Sequence, residues 1–261
     1  MNKTLKILFM NVILVMSFLF NFQNNISYSQ NKNNIDELSC IVKEENNLNK
    51  MIDNFQSILE NEKNNSKAKN SYGIITKKIN INNLKLNQIN LIEQYLKSKL
   101  NECITNKNML IKKVRIEKQL QAKNENLAYI KGIWPLEDYH YISSQYGYRV
   151  HPITKRYNFH TGIDIPAPKN TPVLAVDDGI VIFAGYKKGY GNVVEIKHFD
   201  SKKTLYAHNN IIVVKYGDIV KKGQTISKVG STGNSTGNHV HFEVKINNQR
   251  INPIYAVNKS K

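Results

Sequence analysis

His239-Val240-His241 is the densest concentration of chemistry in this 261-residue sequence. It lies in Asn238-His239-Val240-His241-Phe242-Glu243-Val244-Lys245-Ile246, where apolar residues alternate strictly. Side chains two apart on a strand share a face. Val240, Phe242, Val244 and Ile246 therefore turn to a core, and His239 and His241 stand together on the other face. Two imidazoles there suit metal ligation or proton transfer, although a His-x-His pair alone also fits an ordinary exposed strand.

A second cluster is His160-Thr161-Gly162-Ile163-Asp164-Ile165-Pro166. Gly162 and Pro166 disfavour a helix. In an extended chain the even spacing places His160 and Asp164 on one face, with Ile163 and Ile165 on the other. An imidazole and a carboxylate so related can bind zinc from two positions. One histidine of the His-x-His pair completes a set of two His and one Asp with an open fourth position. That set belongs to catalytic zinc sites, whereas structural sites are closed. The remaining histidine of the pair is free for proton transfer. His208 ends the run Leu205-Tyr206-Ala207-His208 and offers a further acid/base or oxyanion-stabilising group, or a plain strand-end histidine. The other three histidines read as packing or surface residues. His198 shares a strand face with Val194 and Ile196, His151 precedes Pro152 in a loop, and His140 has no evident partner.

These side chains need a rigid frame, and glycine and proline show where it lies. Residues 134–261 hold 11 of the 13 glycines and all 6 prolines, so they read as loops and strands. Val173 to Val176, Asp177-Asp178-Gly179 and Ile180 to Ala184 form a hairpin signature. Val193 to Phe199, Lys203 to His208, Thr225 to Val229 and Val240 to Ile246 are further β-rich runs. Short strands with no helical pattern between them indicate a compact antiparallel β domain. Gly230, Gly233 and Gly237, interleaved with Ser and Thr, permit either close approach by an extended substrate or an ordinary hairpin.

Residues 30–131 read as helical. Leu38, Ile41, Glu45, Leu48, Ile52, Phe55 and Leu59 alternate spacings of three and four, a heptad-like stripe with one polar interruption. A second helix is expected from Gln88 to Leu127, with Ile92, Leu96, Cys103, Leu110 and Val114 on one side and residues 64–83 as the connector. A coiled-coil-like hairpin is the natural arrangement. Cys40 and Cys103 either pair across it in an oxidising compartment or stay as two thiols. Residues 1–29 read as a targeting segment. Lys3 and Lys6 precede an apolar run from Ile7 to Phe20, short for a spanning helix, and small residues follow at Ser27-Tyr28-Ser29. A cleaved signal peptide or an uncleaved anchor both place the remainder outside the cytoplasmic membrane, as an extracellular, cell-wall or outer-face protein.

Residues 134–257 resemble the lysostaphin/LytM-type zinc endopeptidases that cut peptidoglycan cross-links. The matching stretches are Ser144-Gln145-Tyr146-Gly147-Tyr148-Arg149, the His160 to Pro166 segment, Gly191-Asn192-Val193-Val194 and Tyr206-Ala207-His208. Val220-Lys221-Lys222-Gly223-Gln224, Val229-Gly230-Ser231-Thr232-Gly233 and Ser235 to Glu243 follow in family order. The resemblance implies an α+β chain in which helices precede a mainly antiparallel β domain of the LytM type. It implies one zinc ion held by His160, Asp164 and His241, with His208 and His239 as catalytic histidines outside the ligand set. Asn209 stands where the family usually has Leu.

That ligand set implies a mechanism. Zinc lowers the pKa of a bound water and polarises a peptide carbonyl. One of His208 and His239 takes the water proton and returns it to the leaving amine, and the other hydrogen-bonds the oxyanion. The expected substrate is the peptide part of peptidoglycan. The alternative is a non-enzymatic module that uses the same domain as an envelope scaffold or activator. The helical region, matched by no motif, reads as a stalk, a linker or the site of a protein partner. With 37 Lys+Arg against 20 Asp+Glu the net charge is +17, which suits an anionic wall polymer or membrane surface. No nucleic-acid-binding motif accompanies the charge. Two cysteines exclude a disulfide-dense scaffold.

Overall fold

The structure, a computed structural model, describes residues 33–67, 76–124, 129, 131–150 and 156–258. The expected targeting segment, residues 1–29, and His151 lie outside them. Two helices, α1 (Asn34–Lys67) and α2 (Thr76–Asn124), precede a mainly antiparallel β domain. Among the described residues no helix is long and apolar enough to cross a membrane.

The helices are antiparallel neighbours because each can bury its stripe only against the other. Leu48, Ile52 and Phe55 of α1 pack on Leu96 and Cys103 of α2. Burying each large apolar side chain contributes about 1.5–3 kcal/mol, well above any propensity difference. Glu45, the polar interruption of the stripe, pairs with Lys107 across the hairpin. Both cysteines are unbridged: Cys40 is exposed, while Cys103 is buried and directs its thiol at the Ile41 carbonyl at 3.4 Å. The connector expected over residues 64–83 is shorter than that, because α1 runs to Lys67 and α2 already begins at Thr76. Asn and Lys cost only tenths of a kcal/mol in a helix, so polar composition without a breaker does not end one.

The β domain contains β1 (Gly132–Ile133), β2 (Gly147–Val150), β3 (Tyr157–His160), β4 (Ile163–Pro166) and β5 (Pro172–Leu174). There follow β6 (Gly179–Lys187), β7 (Gly191–His198), β8 (Lys202–Asn209), β9 (Ile211–Ile212) and β10 (Ile219–Val220). The last are β11 (Thr225–Lys228), β12 (His239–Ile246), β13 (Gln249–Ile251) and β14 (Val257–Asn258). The main sheet has the order β10-β6-β7-β8-β12-β13, and β4 also pairs with β12. A smaller sheet, β5-β11-β9, lies apart from it, and β2 pairs with β3. The core includes Trp134, Ile165, Val181, Ile196, Tyr206 and Phe242.

The hairpin expected from Val173 to Ala184 does not form. β5 pairs with β11, while β6 pairs with β7 and β10. The segment instead crosses between sheets, with its backbone groups satisfied elsewhere: Val176 N donates to Tyr206 OH at 3.1 Å and Ala175 N to Gln224 O at 2.9 Å. Gly179, read as a turn residue, is needed for space. A Cβ there would meet Ile196 Cγ2 at 2.6 Å.

Asp177 sits in a buried charge network that joins the helices to the sheet. Its carboxylate accepts from Lys202 Nζ at 3.1 Å and from Lys118 Nζ of α2 at 3.0 Å, and Lys202, which is fully buried, also reaches Asp200 at 3.1 Å. Beside these charges, Ile35, Leu38, Leu110 and Val114 of the helices pack on Phe199 and Ile219 of the β domain. Breaking a buried pair by removing one partner costs about 3–5 kcal/mol, because the remaining charge stays desolvated. Asp177→Ala is therefore expected to lower the unfolding free energy by about that amount in chemical denaturation. A loss below about 1 kcal/mol would show that Asp200 alone compensates Lys202.

Candidate metal centre

The site forms where β4 and β12 lie side by side. Their antiparallel register sets His241 directly opposite Asp164, and Phe242 opposite Ile163. Directly opposed side chains share a face, so Asp164 and His241 meet on the face away from the core. Asp164 Oδ1 lies 2.9 Å from His241 Nδ1. His160 arrives from the end of β3, with Nε2 at 3.2 Å from Asp164 Oδ1 and 3.0 Å from His241 Nδ1.

His160 and Asp164 do not share one continuous strand, as their even spacing suggested. The strand is interrupted at Thr161-Gly162 between β3 and β4. A Cβ on Gly162 would lie 2.3 Å from Phe242 O and 3.0 Å from His241 Cε1. Only glycine lets this turn approach β12 closely enough to bring the two side chains together.

One ligating atom from each of His160, Asp164 and His241 lies within 4.8 Å of the others. The donor set tests whether a metal fits. His160 Nδ1 faces the Gln145 carbonyl at 2.8 Å, which places its proton there and leaves the Nε2 lone pair directed inward. Burial works against charge on Asp164, but the imidazoles of His160 and His241 at its oxygens hold its carboxyl far below the ordinary carboxylate range. Burial likewise disfavours a proton on His241, yet Asp164 and Glu243 outweigh it and raise its pKa. The cluster thus attracts positive charge, and two imidazoles with one carboxylate fit a divalent metal.

His208 and His239 stand beside this trio, with ring centroids 4.8 Å apart. Each has its Nδ1 tied to a backbone carbonyl: His208 to Thr232 O at 2.7 Å, His239 to Gly237 O at 2.9 Å. Both rings therefore carry hydrogen on Nδ1 and leave Nε2 as an acceptor. His239 Nε2 lies 3.6 Å from Asp164 Oδ1. Burial holds His208 neutral, its pKa pushed down to about 4.

His208 reaches this position through a strained backbone. Its φ is +62°, at an irregularity in the β7–β8 pairing that a non-glycine residue occupies at a cost of order 1–3 kcal/mol. Asn209, in place of the family's usual Leu, braces it. Fully buried, Asn209 donates from Nδ2 to Asn192 O at 2.9 Å and to Tyr206 O at 2.8 Å, and its Oδ1 accepts from Ser227 Oγ at 2.8 Å.

All five expected site residues line one open groove of about 260 Å³, together with Arg149, Tyr190 and Ser235. The loop carrying Gly233 and Gly237 supplies Asn234, Ser235 and Thr236 to its wall. His198 and His140 stay outside it. His198 is buried between Asp178 O at 3.0 Å and Thr204 Oγ1 at 2.8 Å, and His140 tilts against Trp134. Three neighbours of the trio escaped the sequence reading. Arg149 Nη2 lies 3.4 Å from Asp164 Oδ2. Glu243 and Tyr190 are joined at 2.8 Å behind His241. Only Glu243 carried a signal, since the alternation of β12 placed it on the histidine face.

Residues 158–253, which contain all five positions, match the family model described as peptidase family M23. DD-carboxypeptidase/endopeptidase Mpg of Neisseria meningitidis serogroup B is 50% identical over 113 residues, 43% of this chain and 26% of Mpg. Peptidoglycan DD-endopeptidase ShyC of Vibrio cholerae is 40% identical over 117 residues, 44% of this chain and 27% of ShyC. The solved catalytic domain of lysostaphin from Staphylococcus simulans is 31% identical, with a TM-score of 0.41, over 44% of this chain and 90% of that one. The chain thus spans about a quarter of the length of the curated relatives it matches. The matched segment begins after the helices and takes in every strand that carries a site histidine or Asp164, and through this C-terminal domain the chain belongs to peptidase family M23.

Proposed function

We propose that this chain is a zinc-dependent endopeptidase that hydrolyses peptide cross-links of bacterial peptidoglycan. The observation that carries this reading is the convergence of His160, Asp164 and His241 within 4.8 Å beside two further histidines in one groove. The set of two imidazoles and one carboxylate favours a catalytic zinc, since a structural site would be closed by a fourth protein ligand. The name of ShyC, a peptidoglycan DD-endopeptidase, supports peptidoglycan as the substrate class, and that of Mpg supports endopeptidase activity.

His160 Nε2, His241 Nδ1 and Asp164 Oδ1 would hold the ion. Zinc supplies a Lewis acid that makes a water acidic and a peptide carbonyl electrophilic. Nε2 of His208 or His239 accepts the proton of the attacking water and passes it to the leaving amine. The other imidazole, when it carries a proton on Nε2 as well, donates to the oxygen on which charge develops. Arg149, on the far oxygen of Asp164, helps hold that carboxylate in place. An extended peptide lies along the wall formed by Asn234, Ser235 and Thr236.

Secretion, or anchoring on the outer face of the membrane, would deliver the domain to its substrate. The charge of Lys3 and Lys6 before the Ile7 to Phe20 run supports that placement. The +17 charge supports attraction to anionic wall polymers or membrane surfaces. Among the described residues the helical hairpin contributes none to the groove, which leaves it to serve as a stalk or to hold a protein partner.

Two substitutions separate the roles. His241→Ala is expected to lose zinc and hydrolysis together, read by metal analysis of the purified chain and by release of new amino termini from purified peptidoglycan. His239→Ala is expected to keep zinc while turnover falls by roughly 10²–10⁴-fold, the usual contribution of general acid–base catalysis. Full turnover by the His239 variant would remove that residue from the mechanism. Zinc retention by the His241 variant would remove His241 from the ligand set.

A further inference from the structure

Glu243 follows His241 by two residues on the same face of β12, and its carboxylate is only 1% exposed. Four donors converge on it. Thr161 Oγ1, Tyr190 OH and His241 Nε2 approach Oε1 at 2.5, 2.8 and 3.3 Å, and Arg250 Nε approaches Oε2 at 3.2 Å. A carboxylate buried this far is costly unless its oxygens are paired and hydrogen-bonded.

The two imidazoles of the trio offer opposite nitrogens. His160 presents Nε2 inward, with Nδ1 against Gln145 O. His241 presents Nδ1 inward, 2.9 Å from Asp164 Oδ1, so once Nδ1 gives its lone pair to a metal its Nε2 must carry the proton. Glu243 Oε1 is the acceptor behind that Nε2. We propose that Glu243 is a positioning residue: by accepting from Nε2–H it fixes the tautomer and ring direction of His241, so that the Nδ1 lone pair faces the metal. Thr161, Tyr190 and Arg250 hold the carboxylate in turn. Thr161 adjoins His160, so the same carboxylate ties β12 to the turn that leads from His160 to Asp164. A ligand imidazole backed by a carboxylate binds metal more tightly, and loss of such a partner typically costs 10–100-fold in affinity or activity.

This role rests on the zinc centre proposed above, and the test keeps the two apart. Zinc affinity of the full chain would be measured by competition with a chromogenic chelator, alongside the visible absorption of the Co²⁺-substituted protein. The variants are His241→Ala, Glu243→Ala and the near-isosteric Glu243→Gln, which keeps an acceptor oxygen. Circular dichroism verifies folding of each. Glu243→Ala is expected to weaken zinc binding about 10–100-fold and to alter the Co²⁺ bands, with Glu243→Gln recovering part of the loss. If Glu243→Ala misfolds, a measurable loss in folded Glu243→Gln still supports the role. Wild-type zinc affinity and unchanged Co²⁺ bands in folded Glu243→Gln and Glu243→Ala would overturn it, whatever their melting temperatures. A wild-type chain that binds zinc no better than His241→Ala would instead overturn the metal-centre reading, and the positioning role with it.

Discussion

The register of β4 against β12 is the constraint on which the rest of the site depends. It sets Asp164 opposite His241, with side chains on the face away from the core. A slip of one residue would turn both into the space now filled by Ile163, Ile165, Val240 and Phe242. The apolar half of each strand thus specifies where the polar half stands, and core burial supplies the free energy that holds charged groups close together. Gly162 is the steric condition for this arrangement, since any side chain there would collide with the backbone of β12.

Around that ladder, backbone and side-chain acceptors settle the proton positions. Three histidines have Nδ1 against a carbonyl, of Gln145, Thr232 or Gly237, and leave Nε2 for chemistry. His241 is reversed, with a carboxylate in place of the carbonyl. Ligands and proton carriers of the same residue type are thereby differentiated by what stands behind them. The strained backbone at His208 belongs to the same economy, with Asn209 hydrogen-bonded on both sides of it.

Local pattern made much of this legible. The alternation in β12 placed His239 and His241 side by side, and the three-and-four spacing of α1 marked the residues that the helical hairpin buries. The expected zinc ligands and the two further histidines meet in the structure, although His160 and Asp164 do so across the turn between two strands and not along one strand. The rest depended on contacts distant in sequence. Asp177-Asp178-Gly179 has the composition of a tight turn, yet Lys202 and Lys118 claim the aspartate and Ile196 claims the space at the glycine. In the sequence Glu243 is one more polar residue of an alternating strand. Its importance becomes visible only once Thr161, Tyr190 and Arg250 converge from three other segments.

The helices dock at the end of the sheet marked by Phe199, Ile219 and Asp177, and among the described residues those that line the groove come from the β domain. The proposed hydrolysis is therefore expected of the intact chain. The most direct test is to incubate the full chain with purified peptidoglycan in ¹⁸O-labelled water, with zinc or with a chelator, and to identify released fragments by mass spectrometry. The account predicts zinc-dependent fragments with new amino termini and one ¹⁸O in each new carboxylate. Folded, zinc-loaded protein that releases no such fragment from walls of several cross-link types would contradict it.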